Sequence, residues 1–130
     1  MPDAVRAFNR ATMRQILTIA GSDSGGGAGI QAELKTVTAL GGYGGTAITV
    51  LTAQDTKSVA KIEPVSPDMV ALQMCMMLDD IGVDCIKTGM LFSHDIISAV
   101  ADDFASLTPR IPEIMASDVY TLRRVDLGAS

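Results

Sequence analysis

The stretch "LTIAGSDSGGGAGIQAELKT", Leu17–Thr36, joins two kinds of sequence through a glycine-rich loop. A β-branched apolar run stops at Gly21. Glycines then stand at 21, 25, 26, 27 and 29, and a 3.6-residue period begins at Ala28. Strand, glycine loop and helix in that order open a βαβ unit. The loop is not a Walker A loop, because no Gly-Lys-Ser/Thr follows. Gly27-Ala28-Gly29-Ile30-Gln31-Ala32 matches the dinucleotide pattern G-x-G-x-x-A, but that pattern asks for an acid ending the second strand, which Gln54-Asp55 fits poorly. Two readings stay open. The glycines let the backbone approach a ligand and aim helix N-terminal N–H groups at it, or they make a tight turn that needs positive φ.

Outward from this stretch the alternation continues. "QILTIAG" (Gln15–Gly21) is a buried strand. Ile30, Leu34, Val37 and Leu40 share one helical face, closed by Gly41-Gly42. "TAITVLTAQ" (Thr46–Gln54) is the second strand. Ser66 caps a helix with Pro67 at its first position, and Val70, Met74, Met77, Leu78 and Ile81 follow at helical spacing. "DCIKTG" (Asp84–Gly89) is a third strand. Ser93 caps a last helix that turns Ile97, Val100, Phe104 and Leu107 inward. The order β-α-β-α-β-α implies a parallel sheet covered on both faces. After Pro112 the pattern fades: "EIMASDVYTLRRVDLGAS" offers one short apolar piece, which leaves a small sheet with an exposed edge.

A chain of 130 residues holds one domain with one core. Its net charge of −5 argues against nucleic acid and against an anionic membrane surface as partners. No apolar run reaches the roughly 18 residues of a membrane span. Residues 1–12 have no secretory h-region and read as a disordered extension. Cys75 and Cys85 form no CxxC and His94 stands alone, so a zinc site is not expected and the thiols suit a reducing, cytoplasmic setting. Asp79, Asp80 and Asp84 read as a solvated face rather than a metal site. Met69, Leu72 and Met76 form a second apolar side of their helix, which permits a homodimer contact.

Three loops leave the carboxyl ends of the strands: "GSDSGGGAG", "AQDT" and "TGML". Ligands of open α/β sheets bind there. Gln54 brings an amide with one acceptor and two donors, which suits a heterocycle edge with an amino group beside a ring nitrogen; a glutamine at a strand end also serves as a loop cap. Asp23 and Glu33 are candidates for orienting a hydroxyl or a metal-bound water, or else a solvated loop acid and a first-turn helix acid.

Taken in series, "LTIAGSDSGGGAGIQAELKT", "GGYGGTAITVLTAQDT" and "IKTGML" resemble the N-terminal half of hydroxymethylpyrimidine/phosphomethylpyrimidine kinases, over about Ile16 to Leu107. The resemblance implies a three-layer ribokinase-like α/β fold, here its N-terminal half. It also implies ATP- and Mg²⁺-dependent phosphorylation of 4-amino-5-hydroxymethyl-2-methylpyrimidine and its monophosphate in thiamine biosynthesis. Gln54 matches the pyrimidine-reading glutamine, and Gly21, Asp23 and Met90 match pocket positions. Glu33 stands where the family usually has Asp. The family's ATP site, its "GTGC" anion-hole loop and its Asn-x-x-Glu metal motif lie in a C-terminal half not found here. The expected organisation is therefore residues 13–112 as the N-terminal half of a kinase domain and 113–130 as a divergent tail. No residue of these 130 is expected to be catalytic or to bind metal, and the chain alone is expected to lack kinase activity. The alternatives are a non-catalytic pyrimidine-binding or interaction module and a small Rossmann-type dinucleotide binder.

Overall fold

The structure, a computed structural model, describes residues 13–107 and 113–116, with side chains through Ala105. Strand β1 (Gln15–Ala20) leads through the glycine loop into helix α1 (Gly29–Ala39) and strand β2 (Tyr43–Ile48). The helix ends as the double glycine requires. Gly42 N donates to Val37 O at 2.9 Å and Gly41 N to Thr38 O at 3.1 Å, the paired bonds of a Schellman end. Leu40 lies past the last turn and is 82% exposed, so it does not extend the buried face assigned to it from its spacing.

The run Thr46–Gln54 is not one strand. The chain leaves the main sheet at Thr49, and Val50–Gln54 forms β3, which pairs antiparallel with β4 (Val59–Pro64) in a separate two-stranded sheet. Thr49 is fully buried and bonded on three sides. Its N donates to Ala20 O at 3.0 Å, its O accepts from Val65 N at 2.9 Å, and its hydroxyl donates to Met90 O at 2.7 Å. A backbone pinned there cannot continue the ladder beside β1. The hairpin was not anticipated from sequence, because every residue of β4 is exposed and gives no period-2 burial signal.

Helix α2 (Pro67–Met76) starts as expected, with Ser66 Oγ accepting from Met69 N at 3.3 Å, and passes into a π-turn over Met77–Ile81. Strand β5 (Cys85–Thr88) and helix α3 (His94–Leu107) follow, with Ser93 Oγ accepting from Ile96 N at 3.3 Å. Then comes β6 (Glu113–Ala116), so the segment expected to diverge begins with a strand parallel to β5. The main sheet has the order β2-β1-β5-β6, with every pairing parallel. The edge facing the end of the chain is thus β6 rather than β5. The expected extension 1–12, the tail beyond 116 and the side chain of Leu107 lie outside the described residues.

Two neighbouring glycines on β2 show the three layers. A Cβ on Gly44 would meet Leu34 Cδ2 of α1 at 2.7 Å, and one on Gly45 would meet Met77 Cε at 2.3 Å. Successive strand residues face opposite ways, so α1 covers one face and α2 with its π-turn covers the other. The core lies on the second face, where Leu17, Ile19, Ala47 and Ile86 meet Val70, Met74, Val100 and Phe104, all buried. Each large side chain there contributes about 1.5–3 kcal/mol through burial. No helix among the described residues is long and apolar enough to cross a membrane.

Candidate functional site

Asp23 organises the glycine loop. The residue is 4% exposed, and its carboxylate accepts from Gly25 N at 2.8 Å, Gly27 N at 2.9 Å and Ala28 N at 2.8 Å. Its own N donates to Gln31 Oε1 at 2.8 Å. Three of the loop's N–H groups thus turn inward onto Asp23, so this loop is not shaped as a phosphate cradle. Asp23 also caps α1 from a distance, since Ala28 at the N-cap position offers no side-chain acceptor. Gly29 closes the turn: its φ is +58°, and a Cβ there would sit 2.3 Å from Gly21 O. The turn reading holds at Gly29, which needs its positive φ; the loop also lines a cavity, with the N–H groups of Gly25, Gly27 and Ala28 turned onto Asp23.

The same loop is stitched to β3. Ser22 N donates to Val50 O at 2.9 Å, Thr52 N to Ser22 Oγ at 3.1 Å and Thr52 Oγ1 to Ser22 O at 2.8 Å. Further along, Gln54 N donates to Ser24 Oγ at 2.7 Å, and Ser24 Oγ donates to Gln54 O at 2.6 Å. Gly21 permits the close approach, since a Cβ on it would lie 2.7 Å from Val50 Cγ2.

Between the loop, β3 and the turn after β5 lies a cavity of about 280 Å³. Gly21, Asp23, Glu33, Gln54 and Met90 all line it, joined by Val50, Thr52 and Gly89. The loops after β1, β3 and β5 therefore converge as expected, although the middle one leaves a hairpin strand instead of the main sheet. Asp55 sits in the hairpin turn, where its side chain accepts from Lys57 N and Ser58 N, both at 2.8 Å; these bonds hold its carboxyl below the usual range. A turn residue of the hairpin does not end the strand that follows α1, so the acid of a dinucleotide site is missing.

The polar groups in the cavity differ in what they have left to offer. Thr52 Oγ1 has one proton and gives it to Ser22 O at 2.8 Å; its 3.3 Å approach to Gln54 Oε1 is secondary. Gln54 Nε2 makes no hydrogen bond among the described residues, so its amide is available to an occupant. Glu33 Oε1 is paired with Lys87 Nζ, and Glu33 Oε2 is buried with no hydrogen-bond partner. Lys87 was not singled out from the sequence, since its partner lies on α1, 54 residues away. Ser22, Ser24 and Thr52 were missed as well. The four polar residues Asp55–Ser58 between two apolar stretches were the available sign of a hairpin.

Among the described residues no three Asp, Glu, His or Cys side chains gather as a metal centre requires. Asp23 is engaged by the loop and Glu33 by Lys87, and the lining holds no third carboxylate, so the cavity does not fit Mg²⁺. Asp84 accepts from Gln15 N at 2.8 Å and fixes the start of β1.

The phosphomethylpyrimidine kinase family model matches residues 23–119. A hydroxymethylpyrimidine/phosphomethylpyrimidine kinase of Rhizobium meliloti is 44% identical over 117 residues, covering 88% of this chain and 44% of the relative. A thiamine biosynthesis bifunctional protein of Geobacter sulfurreducens is 59% identical over 86 residues, covering 66% of this chain and 18% of the relative. The crystal structure of the Clostridium difficile phosphomethylpyrimidine kinase superposes with a TM-score of 0.77 at 36% identity, covering 88% of this chain and 51% of that one. The chain thus spans less than half the length of these two curated relatives. Its parallel sheet with helices on both faces is the ribokinase-like arrangement of these kinases. The chain belongs to the phosphomethylpyrimidine kinase family.

Proposed function

We propose that this chain forms the acceptor side of a kinase that phosphorylates 4-amino-5-hydroxymethyl-2-methylpyrimidine and its monophosphate with ATP and Mg²⁺. The observation that carries the reading is the Gln54 amide, approached only by Thr52 Oγ1 at 3.3 Å, in a cavity that also takes in Gly21, Asp23, Glu33 and Met90. The amide accepts from the ring's amino group and donates to the neighbouring ring nitrogen. Val50 and Met90 supply apolar contact to the ring, and Gly21 and Asp23 shape the wall. A volume of about 280 Å³ suits one substituted ring, being at or below the small end of ligand cavities, roughly 300–1,000 Å³. The motifs that family resemblance assigns to ATP and Mg²⁺ do not occur in these 130 residues.

Two further parts of the reading concern setting and assembly. Neither Cys75 nor Cys85 is in a disulfide, which supports a reducing cytoplasm. Met69, Leu72 and Met76 are 50%, 54% and 66% exposed around an apolar groove of about 450 Å³ next to edge strand β2, which supports a homodimer through this face.

The test is calorimetric titration of the 130-residue chain with the hydroxymethylpyrimidine, NAD and ATP in turn. Saturable pyrimidine binding is the expected result. NAD binding without pyrimidine binding would return the dinucleotide alternative.

A further inference from the structure

Lys87 reaches this cavity from behind its wall, through Glu33. It lies on β5 level with Thr18 of β1 and projects to the α1 face of the sheet, opposite to buried Ile86. There its ammonium holds one oxygen of Glu33. Both side chains are largely withdrawn from water, at 31% and 15% exposure. Glu33 lines the cavity, and a Cβ on neighbouring Gly89 would lie 3.3 Å from its Oε1, so the absence of a side chain at 89 leaves the carboxylate its place. The second oxygen, Oε2, is buried without a hydrogen-bond donor. A buried acceptor without a donor is unfavourable, and native structures rarely leave one unexplained. Glu33 itself lines the cavity, so the carboxylate that Lys87 holds stands at the cavity wall with acceptor capacity to spare.

We infer that Lys87 is a positioning residue for ligand specificity: by holding one oxygen of Glu33, it fixes that carboxylate at the cavity wall as the acceptor for a hydroxyl donor on the bound molecule. This rests on the pyrimidine reading of the cavity. With Gln54 occupied by the amino group and ring nitrogen, the hydroxymethyl group carries the donor that Glu33 lacks. The Lys87–Glu33 pair is neutral overall, so the acceptor serves an uncharged alcohol without adding net charge to the cavity.

The experiment compares two ligands on the 130-residue chain by calorimetry: 4-amino-5-hydroxymethyl-2-methylpyrimidine and 4-amino-2,5-dimethylpyrimidine, which differ only in the hydroxyl. The parent chain is expected to prefer the alcohol by at least fivefold. Lys87→Met should bring this ratio close to one while changing affinity for the dimethyl compound less than twofold. Lys87→Arg, which restores the cation, should keep the ratio within about twofold of the parent. A purely structural role would weaken both ligands together and leave the ratio alone. Equal binding of the two compounds by the parent, or an unchanged ratio in folded Lys87→Met, overturns the inference while leaving the pyrimidine reading intact. Should Lys87→Met fail to fold, the parent ratio and Lys87→Arg still decide: a parent ratio near one, or loss of the preference in folded Lys87→Arg, overturns it. Failure of both compounds to bind overturns the pyrimidine reading, and the inference falls with it.

Discussion

Ser24 and Gln54 exchange two hydrogen bonds through a single hydroxyl. Gln54 N donates to Ser24 Oγ at 2.7 Å, and that hydroxyl donates to Gln54 O at 2.6 Å. One side chain thus satisfies both backbone groups of the residue whose amide faces the cavity. The bulge between Ala53 and Gln54 in the β3–β4 pairing makes this necessary, since the ladder is irregular at that point. Ser24→Ala is expected to lower stability by about 1 kcal/mol, from two net bonds at an exposed site. It should weaken pyrimidine binding several-fold, because Gln54 loses its anchor. Urea unfolding and calorimetry on the same variant measure both.

Asp23→Asn tests the organiser of the glycine loop. The amide keeps one acceptor oxygen but turns an NH₂ toward N–H groups now satisfied by Oδ1 or Oδ2. Bonds to a charged acceptor contribute about 1.5–3 kcal/mol each, so a loss of about 2 kcal/mol or more is expected. A urea midpoint equal to that of the parent would show that the loop holds its shape without the carboxylate.

Gln54→Leu separates binding from folding. The side-chain amide makes only the 3.3 Å contact with Thr52, so the stability change should stay under about 1 kcal/mol. Binding of the aminopyrimidine should fall by tenfold or more, because an amino group and a ring nitrogen are left buried without partners, and 1.4 kcal/mol is a factor of about ten. Gln54→Glu keeps an acceptor and loses the donor, so its binding should vary with pH. A Leu variant that folds and binds like the parent assigns Gln54 to loop capping.

Acid should loosen the hairpin turn only below the ordinary carboxyl range. The bonds from Lys57 N and then Ser58 N hold the Asp55 carboxyl below its ordinary range. A depressed carboxyl gives its full contribution above its unfolded value and loses it as the pH falls through the folded one. The Lys57 and Ser58 amide resonances should therefore shift together on acidification, and Asp55→Asn should remove the shift. Asp103 on α3 has the opposite sign: burial, and then the neighbouring Asp102 charge, raise its carboxyl. Its unfavourable contribution is present at neutral pH and is relieved as the pH falls through the raised value.

The methionine face predicts concentration-dependent mass. Sedimentation of the parent should show a monomer–dimer equilibrium, and Leu72→Lys should shift it to monomer by placing a charge at the centre of Met69, Leu72 and Met76. Leu72 is 54% exposed, so the substitution should cost the fold little. A parent that stays monomeric at all concentrations removes this face from the proposal.

What the sequence made legible was local. Gln15–Ala20, Ser66-Pro67 and Gly41-Gly42 carry their signals within a few residues, and each element formed where its pattern stood. That the three loop segments would share one side followed from strand order, whereas the pocket positions Gly21, Asp23, Gln54 and Met90 came from the family resemblance, and all of them line the cavity with Glu33. Leu40 was misplaced because angular spacing carries no information about where a helix stops. The hairpin was missed because β4 buries nothing, and burial is the only periodic signal a strand writes into its sequence. Lys87 and Ser24 act through partners 54 and 30 residues away, and no pattern along the chain records such pairs.

The bond from Val65 N to Thr49 O closes the base of the hairpin at 2.9 Å, so the chain leaves the main body and returns to it at one point. Beyond this doorway the returning strand β4 is exposed, while β3 is also bonded to the glycine loop through Ser22 and Ser24. The turn between the two strands can change length with little added closure entropy, since the ends of the hairpin are already together. The hairpin also delivers Val50, Thr52 and Gln54, one whole wall of the cavity. The cavity is thus divided between two parts of the fold: exchanging the hairpin would change the wall made by Val50, Thr52 and Gln54, while Glu33 on α1, backed by Lys87 on β5, would stay with the frame.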